Sequence, residues 1–126
     1  MSSCEVFEVK SNTWRDLAPM NEARAYHAAL EVKKGILYVF SGQGAGGNYL
    51  DSIERFFFNK SNSSWETIQT DIKLPGRESP GVISINRGNQ VLIFGGYDGS
   101  NRADVFKLDT NSSHLECYNK DTKVNV

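Results

Sequence analysis

The chain has 126 residues, enough for one ordinary domain, and 14 Lys and Arg against 15 Asp and Glu give a formal net charge of −1. This balance argues against nucleic acid as a partner, because phosphate binding needs a cationic face. Cys4 and Cys117 stand near opposite ends, too few for a disulfide framework and wrongly spaced for a zinc site. We therefore expect a reduced, cytoplasmic setting. Without a signal-peptide pattern or a long apolar run, we expect no contact with a membrane.

The sequence repeats itself with a period slightly above fifty residues. Its landmarks are one tryptophan, one arginine and one phenylalanine per repeat, at separations of 51, 53 and 54 positions: Trp14 and Trp65, Arg24 and Arg77, and Phe40 and Phe94. Self-similarity at such a period is the signature of repeat architectures, in which each unit packs against the next.

Each repeat contains an apolar run, at 36–40 and at 91–94, that is rich in β-branched or aromatic residues and is closed by small residues. Such short runs predict β-strands. They do not alternate between apolar and polar residues, which indicates a sheet covered on both faces. The segments between them show no helical period, so we expect sheets to cover sheets, as in the blades of a propeller.

The pattern predicts one half blade followed by two four-stranded antiparallel blades. The half blade contains strands at 5–9 and 14–17. The predicted strands of the two blades are 28–32, 36–41, 52–58 and 65–68, and then 81–85, 91–95, 104–108 and, more weakly, 115–118.

The repeat resembles the kelch family in residue types that recur in fixed order over nearly the whole chain. Four segments carry the resemblance: Arg24-Ala25-Tyr26-His27-Ala28-Ala29, Leu50-Asp51-Ser52-Ile53-Glu54-Arg55-Phe56, the doublet Gly95-Gly96, and Trp14 with the Leu17-Ala18-Pro19-Met20 that follows it. The chain departs from the pattern where Ser41 replaces the first glycine of a doublet, where Pro80 stands in place of a histidine, and where Leu115 replaces the last tryptophan. The third departure predicts a loosely packed last strand.

The resemblance implies an all-β, incomplete kelch-type β-propeller of about two and a half blades. The predicted units are half a blade at 1–23, a complete repeat at 24–76, a second repeat at 77–120 and a polar tail at 121–126. Since a propeller takes about 4 to 8 blades, one chain does not close a ring, and its open ends expose apolar faces. We expect a fragment of a longer protein, a short gene product or a self-associating piece.

Candidate catalytic and ligand-binding motifs are weak. The segment 42–47 fits G-x-G-x-x-G after a strand, but no helix is predicted to follow it, so we interpret it as a loop. His27 and His114 lack neighbours at metal-ligand spacing. No nucleophile elbow is present. We therefore expect no enzyme activity, cofactor or metal.

The predicted functional surface consists of four loop segments, at 21–26, 43–51, 75–79 and 97–102, which the blade plan brings to one face. In similar kelch domains this face commonly binds a peptide segment of a protein partner. Tyr and Arg dominate binding energy at interfaces. The predicted partner-binding residues are Arg24, Tyr26, Tyr49, Arg77, Ser79, Tyr97, Asn101 and Arg102. For Arg24 and Arg77, which occupy the landmark position of the repeat, the alternative is that they pair with loop carboxylates or carbonyls.

The sequence thus favours a non-catalytic protein-interaction module, with adaptor roles such as ubiquitin-ligase receptor or actin-associated scaffold left open. Two alternatives remain at this point. One is a piece of a propeller enzyme of oxidase or lyase type, which resembles kelch domains. The other is a truncated remnant without independent function.

Overall fold

A computed structural model describes residues 2–119, and almost all of their regular structure is β-strand. No helix in this part of the chain is long and apolar enough to span a bilayer; its one helical segment is the 3-10 turn Asn86–Gly88. The ten strands are β1 Cys4–Glu8, β2 Thr13–Leu17, β3 Ala28–Lys33, β4 Ile36–Phe40, β5 Ile53–Phe57, β6 Glu66–Thr67, β7 Gly81–Ile85, β8 Gln90–Phe94, β9 Val105–Asp109 and β10 Leu115–Asn119.

The strands form three antiparallel sheets, each built from strands consecutive in sequence. We call β1–β2 the hairpin, β3–β6 the middle blade and β7–β10 the last blade. This confirms the predicted all-β architecture of partial kelch-type blades, and each predicted strand end lies within one residue of the observed end. The precision follows from the polar, Gly-rich turns that bound each apolar run.

The middle blade is covered on both faces, as its unbroken apolar run predicts. In β4, Tyr38 and Phe40 belong to the core shared with the last blade. Leu37 and Val39 point to the opposite side and join the core beneath the hairpin. Successive side chains of a strand alternate between faces, so a strand buried on both sides must be apolar at every position.

The last blade is covered on one face only within the described residues. Val91 and Ile93 of β8 lie fully buried in the shared core. On the other face Phe94 is 39% exposed and Ile83 47% exposed. The hairpin leaves a similar surface at the other end, where Trp14 is 67% exposed although its counterpart Trp65 is 5% exposed.

The predicted weakness of the last strand is wrong. Strand β10 has five residues and pairs along β9, whereas β6, which follows the tryptophan of the middle blade, has two. Leu115 is 1% exposed and packs into the shared core beside Leu108. The carboxylate of Asp71 also accepts a hydrogen bond from the Leu115 backbone N–H at 2.8 Å. A leucine is therefore enough to anchor the last strand, because the neighbouring blade supplies the rest of the core around it.

Candidate partner-binding face

The four loop segments at 21–26, 43–51, 75–79 and 97–102 are brought to one side of the molecule, which we call the loop face. In the middle blade Gln43 bridges to both Ala25 and Tyr49. In the last blade Tyr97 bridges to both Glu78 and Asn101 in the same pattern. The segment that leads into each blade is therefore paired with the loop between the second and third strands of that blade, as predicted.

Backbone hydrogen bonds also join the loops of the two blades. The Gly42 N–H donates to the Arg77 carbonyl at 2.8 Å, and the Arg77 N–H donates to the Leu50 carbonyl at 3.2 Å. The Ser79 N–H donates to the Tyr26 carbonyl at 2.7 Å. The loop face is thus one continuous surface whose two halves are joined by backbone hydrogen bonds.

Two side chains of this surface stand on left-handed backbone at equivalent places in the repeat. Tyr26 and Ser79 both have φ of 52°. For residues other than glycine this conformation costs roughly 1–2 kcal/mol. The surrounding backbone pairing holds both residues there, and backbone strain of this kind is typical of functional positions.

The arginines of the loop face are buried rather than displayed. The Nη2 of Arg24 donates to Oε2 of Glu54 at 2.6 Å, and neither side chain is exposed to solvent. The Nη1 of Arg24 donates to the Ser41 carbonyl at 2.8 Å. Two backbone N–H groups, of Asn21 and Glu22, donate to the Glu54 carboxylate at 2.7 and 3.2 Å. The ion pair therefore anchors the incoming segment to the middle blade.

The last blade uses a larger cluster at the same place. Arg77 forms a two-pronged pair with Asp104 at 2.8 and 3.0 Å, and its guanidinium lies 5.5 Å from the ring centroid of Phe106. Arg102 donates to Asp104 from Nη2 at 2.6 Å and also pairs with Asp98. Burial raises the pKa of Asp104, but hydrogen bonds and charge from Arg102 and Arg77 outweigh burial and hold the pKa below its usual value.

The prediction that these arginines contact a partner needs correction. Arg24, Arg77 and Arg102 point their guanidinium groups inward, at carboxylates 30, 27 and 2 positions further along the chain. A charge buried in an ion pair is not free for an incoming ligand, and breaking the pair is costly. The sequence shows Arg24 and Arg77 at a landmark position, but not that Glu54 and Asp104 lie beneath them.

The remaining predicted residues stay at the surface. Tyr26, at 64%, and Tyr97, at 39%, are exposed, as are Ser79 and Asn101, whereas Tyr49 is partly buried. The rings of Tyr49 and Tyr97 meet edge to face with centroids 6.2 Å apart. Burial, together with the nearby Glu78, Tyr97 and Asp98, raises the pKa of Tyr49. Tyrosines from two blades thus form one aromatic surface beside carboxylates.

The two histidines lie in different settings. His27 borders a cavity of about 330 Å³ between the hairpin and the middle blade, and burial, followed by the charge of Arg24, lowers its pKa. His114 contacts Asp71 through Nδ1, a pair that the sequence analysis did not identify because the partners are 43 positions apart.

Among residues 2–119 no three His, Cys, Asp or Glu side chains cluster as metal ligands would. The Gly-rich segment folds back on itself and leads into β5.

Stacked, four-stranded antiparallel sheets that repeat about every fifty residues define a propeller-type repeat protein. The chain is 36% identical over 98 residues to spermatocyte protein spe-26 of Caenorhabditis elegans, a match that covers 78% of this chain and 16% of the relative. It is 43% identical over 54 residues to human Kelch-like protein 7, covering 43% of this chain and 9% of the relative. The rat Kelch-like protein 7 matches at 29% over 102 residues, or 81% of this chain and 16% of the relative.

No family model matches the sequence. The similarity to Kelch-like protein 7, the repeat period and the blade architecture agree with one another, and the chain belongs to the kelch-repeat family. The chain spans between 9 and 16% of the length of these relatives.

Proposed function

We propose that this chain is a protein-interaction module whose loop face binds a peptide segment of a protein partner. The observation that carries the proposal is that the loop face presents the exposed Tyr26 and the Tyr49–Tyr97 ring pair on loops joined by backbone pairing. Tyrosine provides large contact area at a low cost in conformational entropy, and a preorganised surface reduces the ordering cost of binding.

The module acts without catalysis, as an adaptor in the cytoplasm, where the thiols of Cys4 and Cys117, which form no disulfide in the described part of the chain, remain reduced. Similarity to Kelch-like protein 7 supports the interaction role in general. Elemental analysis of the purified chain tests the alternative of an enzyme piece. A stoichiometric transition metal would contradict the non-catalytic role.

Selection from a display library of random linear peptides tests the binding face. The library is panned on the immobilised chain, and the recovered peptides are synthesised and measured against variants. We expect Tyr97→Ala and Tyr26→Ala each to weaken binding at least tenfold, as loss of an interface hot spot does. Tyr118→Ala is the matched control, because Tyr118 is 59% exposed on β10, outside the loop face. Peptides that bind all three variants equally would contradict the proposal.

The open faces at the two ends support a second role, self-association. Phe94 corresponds to Phe40, which is fully buried against the last blade, and Trp14 corresponds to Trp65, which is buried beneath the hairpin. A second copy of the chain would cover these exposed apolar side chains, since contiguous apolar surface often marks an interaction site. Native mass spectrometry over a range of concentrations tests this. A monomer throughout, or oligomers unaffected by Ile83→Ser, would contradict self-association.

A further inference from the structure

The charges that remain at the loop face indicate which kind of peptide it accepts. Its four segments contain no lysine, and their three arginines are buried in ion pairs. The rings of Tyr49 and Tyr97 and the carboxylates beside them are therefore what an incoming partner meets. The arginines that the sequence places on this surface are therefore replaced, as groups open to a partner, by carboxylates and tyrosine rings.

Glu78 is the carboxylate best placed to contact a ligand. Its backbone pairs with Tyr97 in both directions, with N–O distances of 2.8 and 2.9 Å, so its side chain starts beside the Tyr49–Tyr97 surface. Within residues 2–119 it takes part in no ion pair, whereas Asp98 is already paired with Arg102. The raised pKa of Tyr49, caused by burial and then by Glu78, Tyr97 and Asp98, agrees with this placement.

Elsewhere in the molecule, lysine and arginine side chains form cation–π contacts with aromatic rings. Lys60 lies 4.5 Å and Arg55 5.2 Å from the ring centroid of Phe57, and Lys107 lies 4.9 Å from that of Tyr118. An aromatic ring attracts a cation over its face, and a carboxylate beside the ring can add a charge-assisted hydrogen bond to the same cation. At the loop face the chain's own arginines are engaged beneath the surface, so a partner must supply the cation.

We infer that the loop face binds a cationic peptide segment, in which a Lys or Arg side chain contacts the Tyr49–Tyr97 rings and pairs with Glu78. This inference rests on the proposed function and adds the chemical class of the partner. Acidic segments are disfavoured, because Glu78 repels them and the arginines that could attract them are engaged in ion pairs.

The peptide selection described above also tests this inference, with additional variants and a salt series. We expect the recovered peptides to be enriched in Lys and Arg, and to lose binding when those residues are replaced by Gln. Glu78→Gln should weaken binding about tenfold, as loss of a charge-assisted contact does. Glu5→Gln, which neutralises an exposed carboxylate on β1, is the matched control and should have no effect. Affinity should fall as salt screens the charges.

The outcomes separate this inference from the proposed function. Recovered peptides that are acidic or uncharged but depend on Tyr97 would overturn the inference and leave the proposed function standing. An unchanged affinity for Glu78→Gln would overturn it as well. If no recovered peptide depends on Tyr26 or Tyr97, both fail. Because the Glu78 side chain has no ion pair in the described part of the chain, the Glu78→Gln variant tests binding rather than folding.

Discussion

The middle and last blades follow one plan, but they differ in how they accommodate a buried arginine and in how much of their surface is covered. Arg24 faces one carboxylate, Glu54, which also receives two backbone N–H groups. Arg77 shares Asp104 with a second arginine, Arg102. The comparison shows that a repeat preserves the position of a charge while its neutralising partners change, because each blade only has to satisfy its own buried groups.

The largest expected effect on stability comes from two single variants, each of which removes the buried arginine of one blade. Arg24→Met leaves Glu54 buried with no cation among the described residues, and should lower the free energy of unfolding by about 3–5 kcal/mol. Arg77→Met should cost less, because Arg102 continues to neutralise Asp104. Urea unfolding of the two variants measures the difference. Arg15→Met, which breaks an exposed pair with Glu8, serves as the control and should cost no more than about 1 kcal/mol. Equal losses for Arg24→Met and Arg77→Met would mean that Arg102 does not compensate.

The next largest effect on stability is expected at two tryptophans that occupy equivalent positions in the repeat, Trp65 and Trp14. Trp65 stacks on Phe56 with ring centroids 5.1 Å apart and donates its indole N–H to the Ala18 carbonyl at 2.8 Å. Trp65→Leu should destabilise by about 2–3 kcal/mol, below the cost of truncating a buried aromatic to alanine. Trp14→Leu should change the free energy of unfolding by less than about 0.5 kcal/mol, since Trp14 is mostly exposed. Thermal unfolding of both variants measures the two losses of stability. A loss for Trp14→Leu comparable to that for Trp65→Leu would show that Trp14 is covered in solution.

A smaller effect on stability is expected at the first position of the Gly-Gly doublet, which is Ser41 in the middle blade and Gly95 in the last blade. Ser41 has φ of 58°, and its buried hydroxyl has no hydrogen-bond partner among the described residues, whereas Gly95 occupies the equivalent place with φ of 66°. Ser41→Gly should stabilise the protein by about 1 kcal/mol, because it removes both penalties at some cost in chain entropy.

The reverse exchange in the last blade is its matched test. A Cβ at Gly95 would come no closer than 3.9 Å, to the Arg102 carbonyl oxygen, so there is no steric clash. Gly95→Ser should therefore destabilise only through the left-handed backbone, by about 1 kcal/mol. If both exchanges shift the melting temperature in the same direction, the two positions are not equivalent.

The smallest effect is a pH dependence that belongs to the last blade. The hydrogen bond and charge of Asp71 raise the pKa of His114, whose other ring nitrogen lies 3.8 Å from Glu116. This stabilisation is complete below the unfolded-state pKa of about 6.5 and is lost as the pH rises through the raised pKa. Hydrogen bonds from Leu115 and His114 lower the pKa of Asp71, so its contribution is lost only as the pH falls through that lowered value.

Melting temperatures at pH 5.5 and pH 8 measure this pair. The wild-type chain should lose more stability than His114→Gln between the two pH values. Both side chains are about half exposed, so the difference should be modest and should shrink at high salt. An identical pH response in the two proteins would show that the pair is not formed in solution.

Nearly the whole strand pattern was predictable, because short apolar runs bounded by glycine-rich turns indicate β-strands and are too short for helices. The partner-binding residues were predictable only in part. Tyr26 and Tyr97 could be placed on the loop face by counting strands. For Arg24 and Arg77 the sequence left pairing with a carboxylate open, but it did not identify Glu54 or Asp104 as the partners. Glu78, which is partly buried in the structure, was overlooked because a single glutamate in a loop is common and carries no signal by itself.

By itself, the amino-acid sequence determined the strands, their order, the stacking of sheets and the face on which the loops meet, since these follow from local propensity and the repeat period. The tertiary structure alone decided which charges are buried and which remain at the surface. Burial of Arg24 and Arg77 depends on contacts with Glu54 and Asp104, about thirty positions away. Electrostatic character at a surface is a sum over groups that only folding brings together.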